Sequence, residues 1–524
     1  MWLAGKAEEI AKVSAKGGFH LFWGIVISTV VSALGVIVLA KIMQPQGYGL
    51  YTIALTAPSL IGTFRDWGMN SAMIKYTAQY SAEQQPERVR RILMAGLVFE
   101  VILGLSLSFL SFLLSGFIAN DIFKRPITGL IQISSFTVLA GAFLTAAQAC
   151  FVGREKMKPN SITLVLQALF RSVLAPLLFY VGFGVTGAVI GYTTGLLFGG
   201  LLGFVLMLEI YNGLGKNGGL GEPLKLWETM KFMFRYGLPL SFSSIFNSFL
   251  SQFYNFIIAI FASNFLIGNY AVANNFTVLL AFFATPITTM LFPAFSKLDA
   301  NKDKETLQIV FRSSIKYSSL LVVPPTVALI ALANPFVYAL FGASYASAPL
   351  FVALLALNYL LTAFGMLSTL NLISSQGQTR LYLELAIANT VTGVVLAVLL
   401  VPTFGVAGLI ITMIFDGVPG LAISLYWIKK HYDASVDWAS SARILLSSAM
   451  SGVLTYIVVS FVGLGSWPKL GIGLLVFTAG FVLSAIGVGA IKKPDMDTLK
   501  LMTSGLGPIS KLVNVILRAL ERLM

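Results

Sequence analysis

Residues 21–42 read LFWGIVISTVVSALGVIVLAKI, an apolar run in which Lys41 is the only charged residue. A helix of about twenty predominantly apolar residues is long enough to cross the hydrocarbon core of a bilayer. The run is too long for the apolar core of a secretory signal peptide, and no small-x-small cleavage site follows it. We therefore predict a membrane-spanning helix here rather than a cleaved leader.

Apolar runs of similar length recur along the whole chain. Hydrophobic residues make up 57% of the 524 residues and charged residues only 11%, whereas soluble proteins carry about 25% charged residues. The predicted spans are Leu21–Ile42, Tyr48–Phe64, Leu93–Ile118, Leu130–Val152, Ser161–Val181, Val185–Ile210, Leu238–Phe261, Ile267–Leu291, Tyr317–Phe341, Ala348–Ile373, Leu381–Val401, Val406–Ile428, Ile444–Val462 and Leu470–Ile491. The sequence thus predicts an all-α polytopic membrane protein with about fourteen transmembrane helices.

The formal net charge of +14 raises the question of nucleic-acid binding. The basic residues instead form short clusters between apolar runs, such as Arg88–Arg91 and Arg154–Lys158, so no nucleic-acid partner is expected. A cytoplasmic N-terminus places nearly all of these clusters inside and leaves few basic residues, among them Arg125, outside. The positive-inside rule therefore predicts a multi-pass protein of the cell membrane with both termini cytoplasmic.

Both ends of the chain are predicted to rest on the cytoplasmic membrane surface. Within residues 492–524, Ile509 and Leu512 recur at helical spacing with Lys511 opposite, which is the pattern of a basic amphipathic helix. Residues 1–18 carry a weaker version of the pattern. We predict an interfacial segment at 1–18 and an amphipathic tail at 492–524, for which simple anchoring is the plainest role.

Residue types that support enzymatic or metal chemistry are scarce. Cys150 is the single cysteine, and His20 and His431 are isolated from each other and from suitable partners. A nucleophilic triad or a zinc site needs several such residues at helical or loop spacing. The sequence therefore predicts no catalytic residue, no metal site and no bound cofactor, in a protein that is not an enzyme.

Two short motifs recur at nearly the same offset. FGVTG at 183–187 recurs as FGVAG at 404–408, and GLY at 49–51 matches GNY at 268–270. Parallel repeats of this kind occur in transporters whose two halves rock against each other. We predict two related six-helix lobes and two appended helices. The predicted segments are 19–210 for the N-terminal lobe, 211–235 for a cytoplasmic inter-lobe loop, 236–428 for the C-terminal lobe and 429–491 for the appended helices.

Arg171 lies about ten residues into its predicted span, hence near the middle of the bilayer at about 1.5 Å per residue. Asn160, Thr163 and Gln167 precede it at helical spacing, so the four side chains share one face. A charged residue there costs at least about 2.5–3.5 kcal/mol. It must either pair with a carboxylate of another helix or face a hydrated cavity, where its guanidinium would bind the phosphate oxygens of an anionic headgroup.

Glu100 and Asp416 are carboxylates within the third and twelfth predicted spans. Glu100 shares a helix face with Gly96 and Gly104, and Asp416 shares one with Thr412. Buried carboxylates of this kind carry protons or bind sodium in ion-coupled transporters, but they also pair with an arginine such as Arg171. The sequence leaves both alternatives open.

A long stripe of small polar residues runs along one side of the seventh predicted span. The internal repeat maps part of this stripe onto the first predicted span. Such residues often serve only helix packing. Alternatively, a stripe on the first helix of each lobe forms the wall of a cavity that hydrogen-bonds sugar hydroxyls. The candidate cavity residues are Ser28, Ser32, Asn247, Ser251, Gln252 and Asn255.

Residues 43–51, MQPQGYGLY, resemble the pattern that follows the first helix of polysaccharide-type flippases. Those proteins belong to the multidrug/oligosaccharidyl-lipid/polysaccharide exporter superfamily. Residues 66–69, DWGM, resemble the Asp-Leu-Gly-Leu segment of the family, from which Trp67 and Met69 depart. The resemblance extends over essentially the whole chain through the two six-helix halves, the Phe-Gly-Val-x-Gly joints and the appended pair.

The resemblance implies an alternating-access flippase that moves a polyprenyl-pyrophosphate-linked oligosaccharide from the inner to the outer leaflet for cell-surface polysaccharide or glycan synthesis. Arg171 and Arg65 would then draw in the pyrophosphate, although Arg65 and Asp66 at a helix end suit anchoring equally well. Asp66, Glu100 and Asp416 are the candidates for coupling to an H+ or Na+ gradient. The implied partners are the lipid-linked substrate, membrane lipids and glycan-assembly enzymes.

Two alternatives belong to the same class: a multidrug/cation antiporter of the toxin-extrusion type, and a lipid II flippase. A membrane-embedded enzyme acting on polyprenyl phosphates is a different class. It would need clustered Asp, His or Arg at a membrane face, and the sequence shows no cluster of that kind.

Overall fold

The computed structural model of the protein describes residues 2–214, 226–299, 302–492 and 495, and the regular structure in these ranges is helical throughout. The predicted all-α fold class is therefore confirmed. The side chains of residues 1–18 and the tail beyond Asp495 lie outside the described residues, so both interfacial segments stay predictions.

The helices alternate with short connections, as expected where a bilayer leaves no water to pair exposed backbone groups. They are α1 (Trp2–Gly62), α2 (Met69–Ala82), α3 (Pro86–Phe117), α4 (Thr128–Gly153), α5 (Met157–Leu178), α6 (Gly184–Asn212), α7 (Leu226–Phe261), α8 (Asn264–Ser296), α9 (Lys304–Ala331), α10 (Ala333–Leu340), α11 (Ala348–Leu357), α12 (Met366–Ser375), α13 (Thr379–Phe415), α14 (Val418–Tyr432), α15 (Trp438–Phe461) and α16 (Ser466–Gly487). π-Helical turns follow α3 (Ile118–Ile122) and α5 (Phe179–Phe183), and a 3-10 segment follows α11 (Asn358–Phe364).

Ten helical stretches of the described residues are long and apolar enough to cross a membrane, or eleven with the bent pair Ala348–Phe364 and Met366–Ser375 counted as one span. Three of the ten are 44, 56 and 54 residues long, about twice what one crossing needs. Each of the three contains a non-helical residue, at Gln44, Gly182 and Gly405. Counting these three twice and the bent pair once brings the ten to fourteen, although the number of crossings itself stays a prediction.

The two copies of the Phe-Gly-Val-x-Gly motif adopt the same backbone conformation. Gly184 has φ 56° and ψ −141°, and Gly405 has φ 56° and ψ −130°, a region that only glycine adopts without strain. The second glycine of each copy packs against the end of the preceding helix, Gly187 on the Leu178 carbonyl and Gly408 on the Leu400 carbonyl. A Cβ on either would collide with that carbonyl, which explains why the motif needs both glycines.

Large apolar side chains are exposed along many of the helices. Phe109, Phe282 and Leu475 have 63%, 59% and 74% of their surface exposed. Soluble monomers rarely expose contiguous apolar surface on this scale, whereas lipid tails solvate it well. Together with the ten membrane-length helices, this surface makes the chain a multi-pass membrane protein.

The chain divides into two compact units, of which unit 1 ends at Gly268. One buried cluster of this unit joins α2, α3, α4 and α6 through Met73, Leu93, Phe151 and Met207. Unit 1 also holds α7, because the backbone of Gly68, just before α2, lies directly against that of Gly237 in α7.

Unit 2 begins at Asn269. One buried cluster joins α8, α9, α12 and α14 through residues that include Phe295, Phe311 and Ile428. A second cluster joins Val323 of α9 to Ile444 of α15 and to α16. The two helices predicted to be appended therefore pack on α9.

Helix α7 begins at Leu226, well before the predicted start of its span at Leu238. Residues 226–235, which fall within the predicted inter-lobe segment 211–235, are therefore helical. Met233 is fully buried, and Leu226 and Met230 pack against the same cluster of unit 1. One apolar face at helical spacing therefore extends the helix beyond the membrane-length segment. The outer bounds of the predicted lobes and of the appended pair stay predictions.

Arg125, counted in the sequence only as a loop charge, closes the end of α7. Its guanidinium donates to the carbonyl of Ala262 at 2.6 Å, to the carbonyl of Ala259, and to Asn264 Oδ1 at 2.8 Å. The last carbonyls of a helix lack partners within the helix and carry partial negative charge. Burial lowers the pKa of Arg125 below its usual value, but a guanidinium stays charged at neutral pH.

We expect Arg125→Ala to lower the free energy of unfolding by about 2–3 kcal/mol, because hydrogen bonds to charged groups contribute about 1.5–3 kcal/mol each and are partly replaced by water. The measurement is thermal unfolding of the purified protein in detergent. Lys124→Ala is the matched control, since Lys124 is exposed and should change stability by less than about 0.5 kcal/mol. Equal melting temperatures for the two variants would contradict the capping role.

Candidate functional site

Arg171 lies in the second half of α5, about 20 Å from its start at Met157. Its half-buried guanidinium carbon lies 5.4 Å from the centroid of the Tyr192 ring in α6. No ion pair or hydrogen bond to Arg171 is found in the described part of the chain. A cation–π contact contributes about 0.5–2 kcal/mol and leaves the N–H donors available. Of the two alternatives left open by the sequence, a structural pair with a carboxylate is therefore not observed.

Three tyrosines of unit 1 form a chain of ring contacts that begins at Arg171. The Tyr192 ring meets Tyr51 edge-on at 6.1 Å, and Tyr51 stacks on Tyr48 at 5.8 Å. Tyr48 and Tyr51 are buried and belong to the part of α1 that follows the Gln44 break. The guanidinium thus lies over the Tyr192 ring, which favours a cation and is itself held by Tyr51.

Glycines along one face of α6 allow the α5 backbone to pack closely against it. This packing positions the backbone of Arg171. Gly195 lies against the Arg171 backbone, and Gly199 lies against the Cβ and Cγ of Gln167. Glycines four residues apart permit this close packing of membrane helices. Gln167 and Arg171 therefore meet the same face of α6, and the stem of Gln167 is used in packing there.

Arg65 is held by a carboxylate of α3. Its Nε donates to Glu100 Oε2 at 2.8 Å, and the side chains of Arg65 and Glu100 are only 12% and 0% exposed. The other Glu100 oxygen accepts from Asn70 Nδ2 at 2.9 Å. Remaining Arg65 donors reach the Val138 carbonyl at 3.2 Å and Thr145 Oγ1 at 3.1 Å. One charge pair therefore links the end of α1 to α2, α3 and α4.

This geometry gives Glu100 a partner that the sequence analysis did not predict. Glu100 pairs with Arg65 and not with Arg171. The sequence alone could not show which of the two arginines is its partner. The Arg65 guanidinium is occupied in this conformation, so its proposed capture of pyrophosphate would require breaking a buried pair. Asp66 Oδ1 accepts from the backbone N–H of Gly68 at 2.9 Å, which is a local contact at the start of α2.

The small-residue face of α1 packs at both ends on α5. Gly24 lies against Ser161, and Gly35 lies against Ser172. Between them, the Ser28 hydroxyl donates to the Ile25 carbonyl at 3.0 Å, and Ser28 and Ser32 are half-buried. Helix packing, the plainer of the two alternatives, therefore explains much of this stripe.

The stripe on α7 is different, because much of it is exposed. Asn247 and Ser251 are exposed within the membrane-length segment Ser244–Phe261, whereas Gln252 and Asn255 are half-buried. Exposed polar groups on a spanning helix favour a hydrated surface over lipid. The stripe thus keeps its predicted role as a candidate cavity wall.

Asp416 lies in unit 2, between α13 and α14. Its backbone N–H donates to the Thr412 carbonyl at 2.8 Å, and the side chain is half-buried. Asp416 lies within the membrane-length stretch Thr379–Tyr432, and its role in ion coupling stays a prediction. No group of three or more His, Cys, Asp or Glu suited to a metal ion occurs among the described residues.

Two features of the site were missed in the sequence. The tyrosines around Arg171 come from helices distant along the chain, although Tyr51 lies in the motif used for the resemblance. The glycine stripe of α6 was readable, since Gly191, Gly195 and Gly199 recur every four residues. The stripe shows which face of α5 carries Arg171 only once α5 and α6 are known to be neighbours.

Comparison with known proteins gives a family match over residues 14–299, more than half of the chain, to a family described as "Polysaccharide biosynthesis protein". The chain is similar to the probable low-salt glycan biosynthesis flippase Agl15 of Haloferax volcanii, with 22% identity over 47% of this chain and 52% of that protein. It is also similar to the lipid II flippase MurJ of Bacillus subtilis, with 22% identity over 84% of this chain and 88% of that protein.

Among solved structures, the inward closed conformation of the lipid II flippase MurJ matches with a TM-score of 0.68 and 15% identity, over 89% of this chain and 97% of that one. An inward-facing multidrug resistance MATE family transporter of the MOP superfamily matches with a TM-score of 0.63 and 17% identity, over 79% of this chain and 98% of that one. At these identities the likeness concerns the fold, and the fold is that of polytopic membrane transporters.

Proposed function

The chain belongs to the family of polysaccharide biosynthesis proteins, and on that premise we propose that it is a flippase for a polyprenyl-pyrophosphate-linked oligosaccharide. It works by alternating access, without covalent chemistry, and moves the headgroup from the inner to the outer leaflet of the cell membrane. The translocated lipid-linked oligosaccharide then serves cell-surface polysaccharide or glycan synthesis.

The observation that carries this proposal is Arg171, a cation with an aromatic neighbour and no carboxylate partner among the described residues. A sugar–pyrophosphate headgroup cannot enter hydrocarbon, because each unsatisfied polar group costs several kcal/mol there. A guanidinium in a polar cavity offers phosphate oxygens two parallel hydrogen bonds. Relatives named as flippases for a glycan pathway and for lipid II support the same substrate class.

Coupling to a proton or sodium gradient is part of the proposal. The three candidate carboxylates are Glu100, which holds Arg65, Asp66, which accepts from the backbone N–H of Gly68, and Asp416, which lies between α13 and α14. The cytoplasmic orientation of both termini and association with glycan-assembly enzymes complete the proposal.

The test is a flipping assay with the purified protein in proteoliposomes. Three substrates are compared: a fluorescent polyprenyl-pyrophosphate oligosaccharide, lipid II, and an organic cation. We expect protein-dependent movement of the first, faster than of the other two. Transport of the cation alone would instead identify a multidrug antiporter, and preference for lipid II would identify a lipid II flippase. Collapse of the proton and sodium gradients in the same vesicles tests the coupling.

A further inference from the structure

We propose that unit 2 contains a saccharide-binding subsite at the break between α11 and α12, formed by Asn274, Thr277, Asn358 and Tyr359. The inference rests on the proposed function, because it assigns a place in unit 2 to the sugar part of that substrate. It is carried by three observations: a broken helix, a cavity at the break, and the chemistry of the side chains that line it.

The helix is interrupted where a bilayer-crossing helix would normally continue. α11 ends at Leu357, the chain follows a 3-10 path through Asn358–Phe364, and Gly365 takes φ 94° before α12 begins. The two parts are bent by 54°. At membrane depth, irregular backbone is tolerated only inside protein or along a hydrated cavity, and transporters use such broken helices to build substrate sites.

A cavity of about 100 Å³ lies at this break, between α8, α11 and α13. Its polar lining comes from Asn274 and Thr277 of α8 and from Asn358 and Tyr359 of the 3-10 segment. Tyr359 donates through its hydroxyl to the Thr277 carbonyl at 3.2 Å and thereby joins the two walls. The third wall, which includes Ile410 and Met413 of α13, is apolar.

The two amides are the groups that point to a ligand. Asn274 is exposed and Asn358 is half-buried. Neither side-chain amide has a protein hydrogen-bond partner among the described residues. A primary amide both donates and accepts, as does a sugar hydroxyl, so a pair of amides matches a polyhydroxylated ring. The apolar wall matches the C–H face of such a ring.

Charge and size narrow the choice of ligand. No lining residue is charged, so the cavity offers nothing to compensate a phosphate or an organic cation. Pockets that enclose whole drug-sized ligands span about 300–1,000 Å³. A cavity of about 100 Å³ is smaller and suits one sugar residue, or a substituent on it, rather than a whole headgroup.

The experiment measures binding of two probes to the full-length protein in detergent: a fluorescent polyprenyl-pyrophosphate disaccharide and the same lipid pyrophosphate without sugar. Wild-type protein should bind the first probe more tightly. In the variant Asn274→Leu/Asn358→Leu, which keeps side-chain size, this preference should fall by about tenfold, while affinity for the sugar-free lipid stays unchanged. Asn120→Leu at an exposed position of unit 1 is the matched control.

Thermal unfolding identifies a variant that fails to fold, in which case the single variants Asn274→Leu and Asn358→Leu are used, each with a smaller expected loss. An unchanged sugar preference in folded variants overturns the subsite and leaves the flippase proposal intact. A variant whose transport loses sodium dependence while its sugar preference persists also overturns it, because the cavity would then be an ion site. Absence of any sugar preference in wild-type protein, together with absent flipping, overturns both proposals.

Discussion

Arg171→Ala is expected to reduce flipping of the lipid-linked oligosaccharide by about 100-fold and to leave the fold intact. Hydrogen bonds to charged groups contribute about 1.5–3 kcal/mol each. Two such bonds to the pyrophosphate contribute at least about 3 kcal/mol, which corresponds to a factor of about 100 because each tenfold change equals about 1.4 kcal/mol. Among the described residues, the polar contact that the protein loses is the one with the Tyr192 ring at 5.4 Å, which contributes less than about 2 kcal/mol.

Two further variants separate charge from geometry. Arg171→Lys keeps the charge but loses the planar fork, so we expect an intermediate rate. Tyr192→Phe keeps the ring beside the guanidinium and should transport at nearly the wild-type rate. Arg380→Ala is the matched control for loss of a positive charge, because Arg380 is exposed and its ion pair within the described part of the chain is with Glu384 on its own helix.

The readout is the initial rate of flipping in proteoliposomes, with the amount of folded protein fixed by its thermal unfolding curve. A folded Arg171→Ala variant that transports at the wild-type rate would remove Arg171 from the mechanism. The family assignment would remain, but the proposed function would lose the observation that carries it.

Much of the fold was predictable from the sequence, because a bilayer constrains a chain so strongly. Apolar runs of about twenty residues located most of the helices, whereas the helical stretch at 226–235 carries charged residues between its apolar ones. The repeated Phe-Gly-Val-x-Gly motif marked two breaks whose backbones agree closely at Gly184 and Gly405. Both signals are local, so one sequence was enough to find them.

The candidate site was less predictable, because its contacts join helices far apart in the chain. Spacing showed that Glu100 and Arg171 lie within spans, but it could not tell which arginine faces Glu100. The partner is Arg65, 35 residues earlier, at a helix end where anchoring was an equally good interpretation. Spacing along one helix shows which residues share a face of that helix. Which residues of two helices meet depends on the packing of the whole bundle.

The Arg65–Glu100 pair carries the largest expected effect on stability. Removing one partner of a buried ion pair leaves an uncompensated charge and costs about 3–5 kcal/mol. Glu100→Ala leaves the Arg65 guanidinium, only 12% exposed, with two neutral acceptors. Arg65→Ala strands a carboxylate that is fully buried. We expect either variant to unfold at a markedly lower temperature in detergent.

The double variant Arg65→Met/Glu100→Leu distinguishes a lost charge pair from a lost cluster of contacts. Apolar residues of similar volume often replace a buried ion pair at little cost, so the double variant should be more stable than either single one. A double-mutant cycle on melting free energies measures the coupling, with Arg380→Ala and Glu384→Ala as an exposed pair for comparison. Additive losses at Arg65 and Glu100 would contradict a direct pair. If the double variant is stable and still transports with unchanged ion dependence, Glu100 holds unit 1 together and does not couple transport to a gradient.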